Sequence, residues 1–568
     1  MNKRFVLRTR WLAVAFIGIT ALIVGRLYIL QIIQGSQYFA RANAQFILPQ
    51  SPLIDRASIY FTDKNNTQIL AATLEEGFSL ALNPTKITDP EALYNQINPI
   101  VPIDHNTFIA KAKQSGVQYV LMAGHLPTSE GQTLEAANLP GVIISEDRWR
   151  YYPGGSLAAQ EIGFVAYSGN LVEGQYGLEK KYNMTLTRNS QDLYTNFFVQ
   201  LFGGVKSTLQ GNSQTGNLTT TIEPSVQQEL ERDLVLYDAQ WHPKLAGGII
   251  MNPQNGEIYA MAVSPTFDLK DFGAQTDPAI YGNAMVNNIY EMGSIMKPLT
   301  MAAGIDSGAI TATTTYNDTG CITVNTARIC NYDLKARGVI PMQQVLSQSL
   351  NVGASFIATQ MGTTTMRDYF LNHYNLGGIT GIDLPNEQAG LVANLHTLQQ
   401  VDYDTAAFGQ GIAVSPITMI RALAVLANGG YLVTPHLVRA INYDTGITTT
   451  LNWPKTGPVL KPQTAATVTQ MLVTVVDVGF AKGISFPNYS VSAKTGTAQI
   501  ANPATGQYYP DTYVHSYFGY FPASNPKFII FLFGYEPVGA PYSSETWGTY
   551  FHSLVQFLIN YYNVPPDR

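Results

Sequence analysis

A charge-poor apolar run over residues 11–33 constrains this chain before any other feature does. Lys3, Arg4, Arg8 and Arg10 precede it without an acidic residue, and it matches the ~20 residues needed to cross a bilayer core. The alternative is a cleaved secretory signal, for which Ala42-Asn43-Ala44 supplies a small-residue cleavage pattern. A signal's apolar core is only ~7 to 15 residues long, and this pattern begins well past the end of the run. An uncleaved single span is therefore expected. Its basic flank keeps residues 1–10 in the cytoplasm and places the chain from residue 34 onward on the far side of the membrane. Arg26, inside the run, either snorkels to a headgroup layer or meets a polar group on a partner helix.

A chain of 568 residues has room for about two to four domains and a large core. Charged residues make up 13%, about half the usual share of roughly 25%, which argues against a disordered or polyelectrolyte chain. A net charge of -6 supplies no broad cationic surface for phosphates, so nucleic acid is excluded as a partner class. The two cysteines, Cys321 and Cys330, are too few for a zinc site, and the eight histidines show no HxH or HxxxH spacing. No metal and no cofactor is expected. Cys321 and Cys330 either close a small hairpin as a disulfide in an oxidising compartment or sit as buried thiols.

Residues 34–221 mix short β-like runs with Gly, Asn, Ser and Pro breakers and read as a mixed α/β domain without a catalytic constellation. From residue 222 the pattern sharpens. Residues 224–237 read as helix, and 246–251 with 257–263 as a hairpin around Asn252-Pro253-Gln254-Asn255-Gly256. Helix-like stretches follow at 295–305, 341–361, 417–427 and 462–478, then strand-like ones at 489–500, 515–521 and 528–535, and an amphipathic helix at 550–562. Helices segregated from antiparallel strands make residues 222–568 an α+β domain, with five strands in one antiparallel sheet flanked by helices.

Within that domain Ser294-Ile295-Met296-Lys297 pairs a nucleophile with a base. With a helix starting at or near Ser294, a spacing of three puts both side chains on one face, where a neutral amine can take the hydroxyl proton. Burial and a second cation would keep that amine neutral. The same spacing occurs at Ser524-Asn525-Pro526-Lys527, where the proline before a strand prevents helical apposition. Two later elements single out the first copy: Ser349-Leu350-Asn351, and Lys494-Thr495-Gly496-Thr497 on a strand-like run. Competing copies fail on context. Ser168-Gly169-Asn170 precedes the nucleophile, and Lys455-Thr456-Gly457 lies between Pro454 and Pro458. Gly496 permits close approach of a ligand to the strand.

The three elements in this order match the pattern of penicillin-binding proteins and serine β-lactamases. The chain resembles the class B penicillin-binding proteins, the monofunctional peptidoglycan D,D-transpeptidases, over nearly its whole length. Residues 247–268 look like that family's opening hairpin, and Phe408-Gly409-Gln410-Gly411 with Ser415-Pro416 like its GQG segment. Arg56-Ala57-Ser58-Ile59, Asp63, Leu70-Ala71, Arg150-Tyr151-Tyr152-Pro153 and residues 174–179 resemble elements of its pedestal. Ala57 and Asn66 stand where the pedestal pattern has glycine, Met292 where the nucleophile pattern has proline, and Asn252 where aspartate is common.

Carried over residue by residue, the resemblance implies that Ser294 is acylated and that Lys297 is its base. Ser349 would relay a proton to the leaving amine, and Asn351 would orient Lys297 and the substrate amide. Lys494 would add positive potential, Thr495 and Thr497 would hold the terminal carboxylate beside Gly496, and the Ser294 and Thr497 amides would form the oxyanion hole. The implied function is cross-linking of peptidoglycan stem peptides through a serine acyl-enzyme, with β-lactams as covalent inhibitors. Hydrolytic alternatives are a D,D-carboxypeptidase or a β-lactamase. No glutamate in an ExxLN setting follows Ser349 to activate a deacylating water, which counts against the lactamase. A non-enzymatic penicillin-binding scaffold of the division machinery is a third reading, opposed by the intact Ser294, Lys297, Ser349, Asn351 and Lys494. The resemblance also implies a polytopic lipid II polymerase as partner, met in the membrane near Arg26 and at the pedestal near Arg56.

Overall fold

The structure is a computed structural model, and it describes residue 18 and residues 55–168, 171–188, 215–478, 486–502 and 504–568. Apart from residue 18, the expected span at 11–33, with Arg26, lies outside the described residues. Among those that are described, no helix is long and apolar enough to cross a membrane. The described residues divide into two compact units, one comprising residues 77–147 and the other residues 55–76 with 148–568.

In the smaller unit, the segment around Phe78–Leu82 pairs antiparallel with Val120–Leu126. Three helices, Pro90–Ile97, His105–Ala112 and Thr128–Ala137, supply the apolar partners Leu93, Ile97, Phe108 and Leu134. Asp89 and Asp104 cap the first two by accepting from the backbone amides of the first turn. The mixed α/β reading of residues 34–221 located none of these helices individually. Each is ten residues or fewer, too short for its periodicity to stand out in a Gly- and Asn-rich background.

The larger unit holds a five-stranded antiparallel sheet, in the order Ser492–Ala501, Tyr508–Phe521, Phe528–Tyr535, Leu245–Met251, Ile258–Ser264. The expected α+β fold with a five-stranded antiparallel sheet is what the chain forms. Asn252 caps the opening hairpin's turn, accepting from Gln254 N, and Gly256 takes φ +87. On one face of the sheet pack Pro224–Trp241 and Ser543–Tyr562, where Tyr237 stacks on Trp547 at 3.6 Å between ring centroids. Elsewhere in this unit sits Pro416–Ala427, apolar all round except Thr418 and Arg421 and buried at every residue, as such a helix must be.

Three differences from the expected elements concern function. The single helix expected over 341–361 is two, Met342–Ser347 and Asn351–Asp368, interrupted at Ser349, whose φ is +54. Lys297–Asp306 begins after a 3-10 turn, Gly293–Met296, rather than at Ser294. The strand Val438–Tyr443, which the sequence pattern did not announce, pairs with Gly216–Thr220, itself parallel to Ile59–Thr62.

Around that second sheet the pedestal motifs converge. Arg56 Nε donates to Glu179 at 2.5 Å and Arg150 Nε donates to the same carboxylate at 2.7 Å. Arg56 also bonds Asn183 and Thr187, and Arg150 bonds the Ala57 carbonyl. Arg56 is only 2% exposed, which corrects the expectation that it offers a partner a surface: its guanidinium is consumed by an internal ion cluster.

Candidate active site

The nucleophile turn is built by close backbone approaches. Gly293 has φ +64, and a Cβ there would lie 2.8 Å from the Thr497 carbonyl oxygen. Gly409 of the GQG segment faces it from the other side: Gly293 N donates to Gly409 O at 3.1 Å, and a Cβ on Gly409 would lie 2.2 Å from Gly293 O. The turn that carries Ser294 is thus clamped between the 492–501 strand and the GQG loop, by glycines that no other residue replaces without a clash. Gly496 belongs to the same arrangement. A Cβ at 496 would meet Met292 O at 2.7 Å and Ser516 Oγ at 2.3 Å, so the close approach it permits is to the nucleophile turn itself. Ser516 Oγ donates to Met292 O and fixes that turn to the next strand.

From this turn Ser294 faces Lys297, with Lys297 Nζ 2.9 Å from Ser294 Oγ. Nζ also donates to Ser349 O at 2.5 Å and to Asn351 Oδ1 at 2.8 Å, and it lies 3.2 Å from Ser349 Oγ. The two carbonyl-type oxygens can only accept. They occupy two N–H bonds and leave the third direction of the nitrogen aimed at Ser294, as a lone pair when the amine is neutral. Lys297 is 1% exposed, and burial first, then the nearby Lys494 cation, push its pKa well below the ordinary lysine value. Lys494, 2% exposed, is itself lowered to about 7 by burial, and its Nζ donates to Thr495 O at 3.0 Å.

Ser349's left-handed backbone explains how one short segment delivers two groups to one amine. With φ +54 between two helices, both its carbonyl and its hydroxyl reach Lys297, an arrangement a continuous helix would forbid because the carbonyl would bond along the helix. Asn351, at the start of the next helix, turns its Nδ2 to the Cys330 carbonyl at 2.9 Å.

These groups open onto a cavity of about 900 Å³, lined among others by Ser294, Ser349, Asn351, Thr495 and Thr497. Of the eight residues expected at the site, Lys297 and Lys494 lie beneath the cavity and Gly496 is covered by protein. The second copy is elsewhere: exposed Ser524 bonds Asp567, and Lys527 is exposed on the turn before a strand. Sequence reasoning missed the wall formed by the Cys321–Cys330 hairpin, the start of the Ser543–Tyr562 helix, whose Ser543 N donates to Thr497 Oγ1 at 3.2 Å, and the Glu291 bridge. Glu291 accepts from Tyr508 at 2.9 Å and from Gly411 N at 2.9 Å, so it ties the GQG loop to the cavity rim. Only the cysteine pair carried a signal that a search of the sequence picks out.

The sequence model described as the penicillin binding protein transpeptidase domain matches residues 246–543, and that of the penicillin-binding protein dimerisation domain matches residues 55–215. Among curated proteins, stage V sporulation protein D of Bacillus subtilis is 27% identical, covering 94% of this chain and 82% of its own length. Penicillin-binding protein PbpB of Mycobacterium tuberculosis is 28% identical over 99% of this chain and 86% of its own. Peptidoglycan D,D-transpeptidase FtsI of Escherichia coli is 23% identical over 96% and 90%. Among solved structures, penicillin binding protein 2X of Streptococcus thermophilus superposes with a TM-score of 0.73 at 21% identity, covering 89% of this chain and 80% of that one. Penicillin binding protein 3 of Mycobacterium tuberculosis, complexed with aztreonam, gives 0.68 at 24%, over 91% and 98%. The transpeptidase model alone spans more than half of the sequence and encloses the nucleophile turn, the broken helix and the 492–501 strand, and on that match the chain belongs to the penicillin-binding protein transpeptidase family.

Proposed function

We propose that this chain is a peptidoglycan D,D-transpeptidase, and that Ser294 attacks the carbonyl of the penultimate D-alanine of a D-Ala-D-Ala stem peptide. The observation that carries this reading is the buried Lys297 amine, 2.9 Å from Ser294 Oγ and held by two acceptors that leave its lone pair facing the hydroxyl. Lys297 takes the Ser294 proton as the C–O bond forms. The amides of Ser294 and Thr497 receive the developing oxyanion, where fixed donors in a dry site are most effective. Ser349 Oγ, 3.2 Å from Lys297 Nζ, passes the proton to the leaving amine, and D-alanine departs. Thr495 and Thr497 hold the substrate's terminal carboxylate, Lys494 supplies positive potential from beneath, and Gly496 keeps the strand seated against the nucleophile turn. The acceptor amine of a second stem peptide then attacks the acyl-enzyme and regenerates Ser294. A β-lactam enters the same steps but its leaving group stays tethered, so the enzyme remains acylated.

Residues 11–33 anchor the enzyme as a single span with residues 1–10 in the cytoplasm and the domains 34–221 and 222–568 on the cell-wall side. A polytopic lipid II polymerase meets that span, with Arg26 paired to a polar group on the partner. The buried Arg56 leaves other, exposed pedestal residues for any contact there. Incubating the full chain with a D-Ala-D-Ala stem peptide and an amine acceptor tests the reaction. Release of D-alanine together with a cross-linked dimer supports the proposal, and D-alanine release with only the shortened peptide as second product would make the enzyme a carboxypeptidase instead. Arg26→Leu should weaken co-purification with the polymerase while leaving penicillin labelling normal, and undiminished co-purification would return Arg26 to a snorkelling role.

A further inference from the structure

The hairpin formed by Cys321–Val324 and Ala327–Cys330 stands on the cavity wall, and the reaction above gives it no task. Its strands have four residues each, and an isolated two-stranded ladder of that size is marginal in water. Cys321 and Cys330 face each other at its base and are joined by a disulfide. Below them the chain is already tethered: Asn331 N donates to Gly320 O, Asn331 Nδ2 donates to both oxygens of Asp318, and Val352 N donates to Asn331 Oδ1. The disulfide carries that tether one residue further, to the pair whose main chain reaches the site. Cys330 O accepts from Asn351 Nδ2 at 2.9 Å, and Asn351 Oδ1 accepts from Lys297 Nζ at 2.8 Å.

A carboxamide has one accepting end and one donating end, and the Cys330 carbonyl can only accept. It therefore decides which end of Asn351 faces Lys297. With the carbonyl in place, the amide oxygen must point to the amine. With it displaced, the amide is free to turn and present N–H groups to a nitrogen that needs an acceptor there. We propose that the Cys321–Cys330 disulfide is a positioning element of the acylation step, holding the Cys330 carbonyl so that Asn351 is oriented by it and Lys297 in turn is aligned on Ser294. This rests on Ser294 being the acylated nucleophile.

The test is stopped-flow acylation of the full chain in detergent by a fluorescent penicillin, separating the dissociation constant from the acylation rate constant. The chain is taken oxidised, reduced with a water-soluble phosphine, and reoxidised, beside Cys321→Ser/Cys330→Ser and Asn351→Ala. Reduction should slow the acylation rate constant about tenfold, the effect of one positioned hydrogen bond, with the dissociation constant within about twofold. Reoxidation should restore the rate, the double serine variant should be slow and indifferent to the phosphine, and in Asn351→Ala the effect of reduction should vanish. An acylation rate constant that is unchanged or faster on reduction overturns the proposal. So does a slowing that persists undiminished in Asn351→Ala, which would assign the disulfide to bulk stability. Should oxidised wild-type chain take up no penicillin, the acylation reading itself falls, an outcome distinct from either of these.

Discussion

At the scale of single residues the site is a set of constraints on one proton. The proposed base, Lys297, can take a proton only when neutral, and its pKa is lowered by burial and then by Lys494. Removing the like charge lets Lys297 keep its proton to higher pH, so the neutral fraction at a given pH falls. Lys494→Met is therefore predicted to move the acid limb of the acylation-rate profile to higher pH, read from labelling rates across a pH series. A limb that stays put or moves down would show that the two amines do not interact. Lys297→Ala should slow acylation at least ~10²- to 10⁴-fold with the dissociation constant little changed, the effect expected of a lost general base.

Elements do what residues cannot do alone, and the break between Met342–Ser347 and Asn351–Asp368 is the clearest case. Ser349 pays in backbone conformation for its position, since a left-handed non-glycine residue costs ~1 to 2 kcal/mol. Ser349→Gly should therefore leave stability equal or raise it by up to about 1 kcal/mol while slowing acylation. Ser349→Ala should slow acylation as much with no such gain, and chemical denaturation beside labelling rates separates the two. Gly409→Ala, with its Cβ directed at Gly293 O, should displace the nucleophile turn and suppress acylation strongly, measured at a temperature where the variant remains folded. That Ser294, Lys297, Ser349, Asn351 and Lys494 belong to one site was legible in the sequence because each element is a short local pattern and their order is diagnostic. The helix break was not, because residues 341–361 are all compatible with helix and a left-handed serine leaves no compositional mark. The Cys330 carbonyl was invisible for a similar reason: main-chain oxygens are the same in every residue, and only the fold selects one. The strand Val438–Tyr443 escaped because its partner Gly216–Thr220 lies far away in the chain and its pairing, more than its own residues, makes it a strand.

For the whole molecule, the buried Arg56–Glu179–Arg150 cluster joins three segments far apart in sequence. Breaking such a cluster from one side leaves charge uncompensated in a dry place, which typically costs ~3 to 5 kcal/mol. Arg56→Ala should lower unfolding free energy by about that much in urea titrations, while surviving folded protein keeps a normal acylation rate at Ser294. A loss below ~1 kcal/mol would mean the cluster is solvated in the native state. The five-stranded sheet, by contrast, was readable from sequence in kind, since its strands bury nearly continuous apolar runs, but of Tyr508–Phe521 only 515–521 was read, because the first residues of that strand are exposed and mostly polar or aromatic.

The central claim is that one serine among many in this chain forms the acyl-enzyme. Intact-mass measurement after incubation with benzylpenicillin, followed by peptide mapping, tests it most directly. The account predicts one added penicilloyl mass per chain, located on the peptide that contains Ser294 and abolished in Ser294→Ala, with Ser524→Ala modified as fully as wild type. A stable adduct on Ser349, on Ser524 or on any other residue, or undiminished modification of Ser294→Ala, would contradict it.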